Sequence, residues 1–176
     1  MKYYIIGPGG AGKSTVGKCL ANRLHVDYID LDDQYLKIYG NINADINRDG
    51  YDAYCEKNIR LFEQLDANNH TGIIVVSSGF MTYPKQSTES YSALKNRILN
   101  HRYCIRLLPG KTMHETMKII VERQLKRGLG YQKDREVQKI RNRYPFYINL
   151  GAIRVDSQKT PGKVAEDILA HLQLMD

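Results

Sequence analysis

The sequence predicts a three-layer α/β sandwich with a five-stranded parallel sheet, and three observations carry that expectation. Short apolar runs alternate with longer amphipathic segments along the whole chain, the pattern of strands joined by crossover helices. A glycine-rich loop, Gly7 to Gly12, separates the first apolar run from the first helical pattern. Proline and glycine punctuate the junctions, as in Pro109-Gly110 after one run and Thr160-Pro161 before the last helix. The runs place strands near Lys2–Ile6, Val26–Ile29, Gly72–Ser77, Tyr103–Leu107 and Ala152–Val155. Helices are expected near Lys13–Leu24, Asp52–Leu65, Thr88–Leu99, Thr112–Lys126, Asp134–Tyr144 and Pro161–Leu172. The stretch Gly40–Gly50, rich in Asn and Asp, reads as a loop or broken helix over the ligand cleft.

At 176 residues the chain is expected to form one domain, 1–176, large enough to bury its own core. No apolar run approaches the ~20 residues that cross a bilayer. Met1-Lys2 leads directly into a strand without a signal pattern, so a cytoplasmic location and no membrane partner are expected. Three widely spaced cysteines, Cys19, Cys55 and Cys104, form neither a disulfide framework nor a metal motif. The net charge of +7 could point to nucleic acid, but its basic residues concentrate between Arg123 and Arg143 with no nucleic-acid-binding motif. Such a field suits a polyphosphate or a small anion equally well, and a solvated helix face accounts for many of the side chains. No nucleic-acid partner is expected, and a monomer or weak dimer is.

Function enters through Gly7–Thr15, GPGGAGKST, which fits the phosphate-cradling pattern G-x-x-x-x-G-K-[ST] in the strand-to-helix context that the motif requires. The loop residues Gly9, Gly10, Ala11 and Gly12 turn backbone N–H groups toward a polyanion, with Thr15 closing the motif. Lys13 reaches the β- and γ-phosphates, Ser14 offers a hydroxyl to Mg²⁺, and the helix starting here adds its positive N-terminal dipole. Asp30-Leu31-Asp32 follows the second apolar run, at the end of the sheet where ligands bind. One carboxylate can serve the hydrated metal and the other can take a proton from an acceptor hydroxyl; alternatively Asp32 or Asp33 caps the next helix. No acidic residue follows the third run in Ser77-Ser78-Gly79-Phe80, which leaves Asp30 as the metal candidate beside Ser14.

Gly79 either lets backbone approach a substrate or makes a tight turn. Lys126 to Gly130 has the glycines and cations of a mobile lid, expected over about 126–134, in which Arg127 would neutralise the transferring phosphoryl group; Gly128 and Gly130 could instead simply end a helix. Arg123, one turn earlier, could stack on a nucleotide base. Arg143, before Tyr144-Pro145-Phe146-Tyr147, is a candidate clamp for a substrate anion, with a surface salt bridge as the alternative. Tyr51, Tyr54 and the YPFY cluster read as packing residues, and His25, His70, His101, His114 and His171 form no constellation.

With these residues in order, the chain resembles the shikimate kinases over nearly its whole length, most closely in GPGGAGKSTVGKCLANRL followed by YIDLDD. The resemblance implies a P-loop NTPase fold of nucleoside-monophosphate-kinase-like architecture, use of ATP and Mg²⁺, and phosphoryl transfer to a hydroxyl of a small carboxylated metabolite, shikimate first. It assigns Asp30 to the metal, Asp32 to the substrate hydroxyls, Arg127 to the lid, Arg123 to the adenine and Arg143 to the substrate carboxylate. The substrate-binding segment is expected over about 33–62. Here the chain departs from the family: the element over Gly50–Asn58 has Tyr54 for a phenylalanine, Cys55 for the second substrate arginine and Asn58 for a glutamate. The family's glycine triplet is Ser78-Gly79-Phe80. Arg48 or Arg60 could replace the missing cation. Another acceptor, a sugar acid or nucleoside, and a nucleotide-binding switch without acceptor chemistry remain the alternatives.

Overall fold

The computed structural model describes residues 1–68, 71–128 and 130–174. Its sheet has five parallel strands, β1 (Lys2–Ile6), β2 (Tyr28–Asp30), β3 (Gly72–Val75), β4 (Cys104–Leu107) and β5 (Ile153–Val155), in the order β2-β3-β1-β4-β5. Helices α1 (Lys13–Leu24) and α8 (Pro161–Gln173) pack together on one face. The side chains of β1 alternate between two apolar clusters. Tyr3 and Ile5 join Val16, Leu20 and Ile168 on that face, while Tyr4 and Ile6 join Phe62, Phe80 and Tyr147 on the other.

The remaining helices are α2 (Leu31–Tyr39), α3 (Ile42–Asp49), α4 (Tyr51–Asn68), α5 (Tyr91–Leu99), α6 (Met113–Leu125) and α7 (Lys133–Ile148), with a 3₁₀ turn at Phe80–Thr82. The broken-helix alternative holds for Gly40–Gly50. Gly40 and Gly50, at φ +86° and +91°, stop α2 and α3, and the Asn41 side chain accepts from Ala44 N–H to start α3. The second strand starts at Tyr28 rather than Val26, because His25 in a left-handed conformation ends α1 and Val26 N–H still donates to Ala21. Helix α7 runs past Tyr144 and through Pro145, whose ring is on the exposed side. Its C-terminal end is held by Arg106, which donates to the carbonyls of Tyr147, Ile148 and Leu150. The helix α6 starts with a reciprocal cap between Thr112 and Glu115.

Candidate active site

The phosphate loop joins β1 to α1, so it opens at the carboxyl end of the central strand. Two of its glycines are required by space. A Cβ at Gly7 would lie 2.4 Å from the Leu107 carbonyl oxygen, and one at Gly10, at φ +78°, would lie 3.2 Å from the Ile120 carbonyl oxygen. Gly12 supplies no side-chain cap, so the first N–H groups of α1 stay available to an anion. Lys13 is buried, with Nζ donating to the Pro8 carbonyl at 3.2 Å. Burial pushes its pKa down to about 8, against the pull of Asp32 and Asp30. Ala11 is buried and Thr15 is exposed.

A small polar cavity of about 110 Å³ collects Gly9, Gly10, Gly12, Lys13, Ser14, Asp30, Asp32 and Arg127. Asp30 is the N-cap of α2: its Oδ1 accepts from Asp32 N–H at 3.0 Å and its Oδ2 from the Tyr28 hydroxyl at 3.1 Å. The cap is thus made by Asp30 and not by Asp32 or Asp33, and it aims Asp32 into the cleft. Asp32 accepts from the Ser77 hydroxyl at 2.5 Å. Burial raises the Asp32 pKa, opposed by the Ser77 hydrogen bond and Lys13 and reinforced by Asp30 and Asp33. Among the described residues no cluster of three acids, histidines or cysteines could cage a metal by itself. The serine and carboxylate donors of Ser14 and Asp30 do suit Mg²⁺, which takes one or two protein oxygens and fills its shell with phosphate oxygens and water.

A larger cavity of about 630 Å³ adjoins it, sharing Gly9, Asp32, Ser78, Gln124 and Tyr131. One wall is Leu36 of α2, Ile42 and Ile46 of α3, and Tyr51 and Tyr54 of α4. The opposite wall is a single stripe of α7, Glu136, Lys139, Ile140 and Arg143. Gly79 lies between the walls: a Cβ there would lie 3.2 Å from both Arg143 Nη2 and Tyr51 Oη. It also starts the 3₁₀ turn, so the tight-turn reading holds, and the groups that approach its backbone are the Arg143 and Tyr51 side chains. Arg143 faces the cleft beside the Tyr51 hydroxyl, rather than making a surface salt bridge.

Several sequence readings change. Tyr51 and Tyr54 line the cleft as well as packing against each other, whereas Tyr147 is buried and donates to the Ser78 carbonyl at 2.9 Å. Arg48 and Arg60 do not supply a cation to the cleft. Arg48 pairs with Asp45 and Asp49, and Arg60 pairs with Glu56 on the outer side of α4. Cys55 is fully buried, and burial pushes its thiol up to about 12, so it is a neutral neighbour of Tyr51. Arg123 lines neither cavity; its guanidinium donates to the carbonyls of Gly10 at 3.4 Å and Ser157 at 2.8 Å. Arg127 is in the cavity with Lys13, while Leu129 and His70 lie outside the described residues. The additional cation of the cleft, missed from the sequence, is Lys139. Counting back one helical turn from Arg143 would have found it, and Glu136 and Ile140 with it.

A profile of the shikimate kinase family matches residues 9–173. The chain belongs to the shikimate kinase family. Curated relatives include the shikimate kinases of Francisella tularensis subsp. holarctica, 32% identical over 95 residues covering 53% of this chain and 52% of the relative, and of Pasteurella multocida, 31% identical over 91 residues covering 51% of each. The chain thus matches about half the length of these relatives. Among solved structures, shikimate kinase from Acinetobacter baumannii in complex with shikimate aligns with a TM-score of 0.74 at 20% identity, covering 99% of this chain and 94% of that one. A gluconokinase from Sinorhizobium meliloti gives 0.64 at 16% identity, over 99% and 92%, and a deoxyadenosine kinase from M. mycoides gives 0.59 at 19%, over 98% and 100%. These structures share the P-loop kinase fold of this family member. No described helix is long and apolar enough to cross a membrane.

Proposed function

We propose that this chain is an ATP- and Mg²⁺-dependent kinase that transfers the γ-phosphoryl group to a hydroxyl of a small carboxylated metabolite, with shikimate the first acceptor to test. The observation that carries the reading is Asp32, at the junction of the two cavities and facing both Lys13 and the acceptor side. The loop amides and Lys13 bind the phosphates, and Arg143 draws the acceptor's carboxylate toward α7, which leaves its hydroxyl near Asp32. Asp32 takes the hydroxyl proton while that oxygen bonds to the γ-phosphorus, and the bond from phosphorus to the β–γ bridging oxygen breaks to release ADP. Arg127 offsets charge on the transferring oxygens. Mg²⁺, held by Ser14 and Asp30, neutralises phosphate charge when bound. The family membership and the resemblance to shikimate kinases support the same assignment.

Cys55 favours a second acceptor in the same scheme. The buried thiol and the apolar face of α3 leave a carboxylate with Arg143 as its main clamp, and a sugar acid or nucleoside could use such walls. The test is ADP formation from Mg-ATP with shikimate, against a no-acceptor control and a panel of hydroxy acids, sugar acids and nucleosides. Stimulation by shikimate alone supports the first reading. Stimulation only by another compound moves the acceptor, and none at all removes the kinase assignment and favours a nucleotide-binding switch.

A further inference from the structure

Gln124, in the last turn of α6, is the buried polar side chain that lines both cavities from behind the lid. Its Oε1 accepts from Arg127 Nη1 at 3.1 Å, and its Nε2 donates to Glu136 Oε2 at 3.3 Å. Glu136, itself buried in the acceptor wall, also accepts from Lys139 Nζ at 2.7 Å. A continuous chain of groups therefore runs Arg127, Gln124, Glu136, Lys139, from the phosphate cavity to the acceptor cavity.

The chemistry of the amide gives this chain one sense. Turned over, Gln124 would set its NH₂ against the guanidinium and its carbonyl against the carboxylate, leaving two donors and two acceptors facing each other. The side chain also lies against the phosphate loop, close enough that a Cβ at Gly9 would lie 3.2 Å from Gln124 Nε2 and one at Gly10 3.2 Å from its Cγ. Arg127, by contrast, is exposed and precedes Gly128 and Gly130, which have open space around them. A long side chain on such a segment loses several rotatable bonds of freedom when it is fixed, so a preset partner matters most there.

We propose that Gln124 is a positioning residue: it presents Arg127 to the transferring phosphoryl group and connects that arginine, through Glu136, to the occupancy of the acceptor cleft. An acceptor anion that draws Lys139 away leaves Glu136 with Gln124 as its remaining partner, tightening the amide and with it Arg127. The inference rests on the kinase reading for the task of Arg127.

The test compares affinity for Mg-ADP with affinity for Mg-ADP plus aluminium fluoride, which mimics the phosphoryl group in flight, in the wild type, Arg127→Ala, Gln124→Met and the double variant. This readout needs no acceptor. The expected result is that each single variant weakens the aluminium fluoride complex about 10- to 100-fold, the range for losing a hydrogen bond to a charged group. Mg-ADP affinity stays within about threefold, and the double variant is no weaker than Arg127→Ala because both act through one guanidinium. Effects that multiply, or a neutral Gln124→Met, overturn the proposal. Should Gln124→Met fail to fold, Glu136→Ala is expected to weaken the same complex several-fold and Glu136→Gln, whose amide oxygen still accepts from Nε2, to restore it; failure of that rescue also overturns it. A wild type that binds ADP with aluminium fluoride no more tightly than ADP alone removes the kinase reading, and the task of Gln124 falls with it. The two failures are distinguishable because the first is seen only in the variants.

Discussion

The phosphate side and the acceptor side of the cleft are built by different means. The first is built around one contiguous backbone stretch, Gly7 to Thr15, fixed by a strand, a helix N-terminus and the close-packed glycines Gly7 and Gly10, with the side chains of Lys13, Ser14, Asp30, Asp32 and Arg127 gathered round it. The second is made of side chains from α2, α3, α4 and α7 that meet only in the folded molecule. A site made of backbone tolerates few alternatives at its glycines, whereas a site made of side chains can be altered one residue at a time without disturbing the sheet. The departures from the family pattern at Tyr54, Cys55 and Asn58 are all on α4, in or beneath that second kind of wall.

The largest expected effect separates the two sides at once. Lys13→Ala should lower ADP formation by about 1,000-fold or more, as expected for losing a charged donor at the transferring group, whatever acceptor is supplied. Thermal unfolding should show the fold retained, since Lys13 is buried with one backbone carbonyl as its hydrogen-bond acceptor. Near-normal turnover would break the assignment of the phosphate side. Asp32→Asn comes next: the cavity keeps its shape but loses the base, and kcat should fall about 100- to 10,000-fold while Mg-ATP affinity changes little. A loss confined to KM would give Asp32 a binding task instead.

The acceptor side is tested by Arg143, the candidate clamp, against Arg48 and Arg60, the possible replacements for the missing second cation. Arg143→Ala should raise the KM for a carboxylated acceptor about 10- to 100-fold, the range for a lost charge-assisted hydrogen bond, and leave the KM for ATP nearly unchanged. Arg48→Ala and Arg60→Ala should each alter both constants by less than about twofold, because their partners are Asp45, Asp49 and Glu56 outside the cleft. Equal effects from all three would mean that Arg143 is not the clamp for the acceptor's carboxylate. Steady-state kinetics on the three variants decides between these outcomes.

How much could be read beforehand follows from the same contrast. The parallel strands, the loop and the position of Asp30 and Asp32 at the end of the second strand rest on local patterns and are found in the structure, with a shift of two residues at the start of β2; the order β2-β3-β1-β4-β5 depends on pairings between distant segments and was not legible. Lys139 and Glu136 were hidden because each is unremarkable in a basic helix. Only the facing walls of α3 and α4 turn that stripe into part of a cleft. Gln124 was hidden for a related reason: its two side-chain hydrogen bonds, to Arg127 three residues on and to Glu136 of α7, exist only in the folded molecule. Arg48 and Arg60 were misjudged because proximity in sequence to Cys55 says nothing about which side of a helix a guanidinium takes. Asp45 and Asp49, which hold Arg48, come from α3 and fix that choice.

The smallest expected effect concerns a proton. Burial holds Lys13 at about 8, below the 10.5 of an unburied lysine, so between these values the folded protein binds fewer protons than the unfolded chain. The contribution of this group to stability is therefore least below pH 8, where the buried ammonium carries its full penalty. It rises as pH climbs from about 8 toward 10.5. Bound phosphates favour the ammonium and should return it to the charged form, so Mg-ATP binding in this window must take up a proton. Above about pH 8 much of Lys13 is neutral before binding, whereas near pH 6.5 it is mostly charged. Calorimetry in two buffers of different ionisation enthalpy should thus give different apparent heats at the higher pH, and Lys13→Arg, always charged, should abolish the Lys13 part of the difference. Identical heats in both buffers for the wild type would mean that Lys13 is already charged by Asp30 and Asp32 before the nucleotide arrives. The phosphate side would then owe its affinity more to the backbone of the loop than to the lysine.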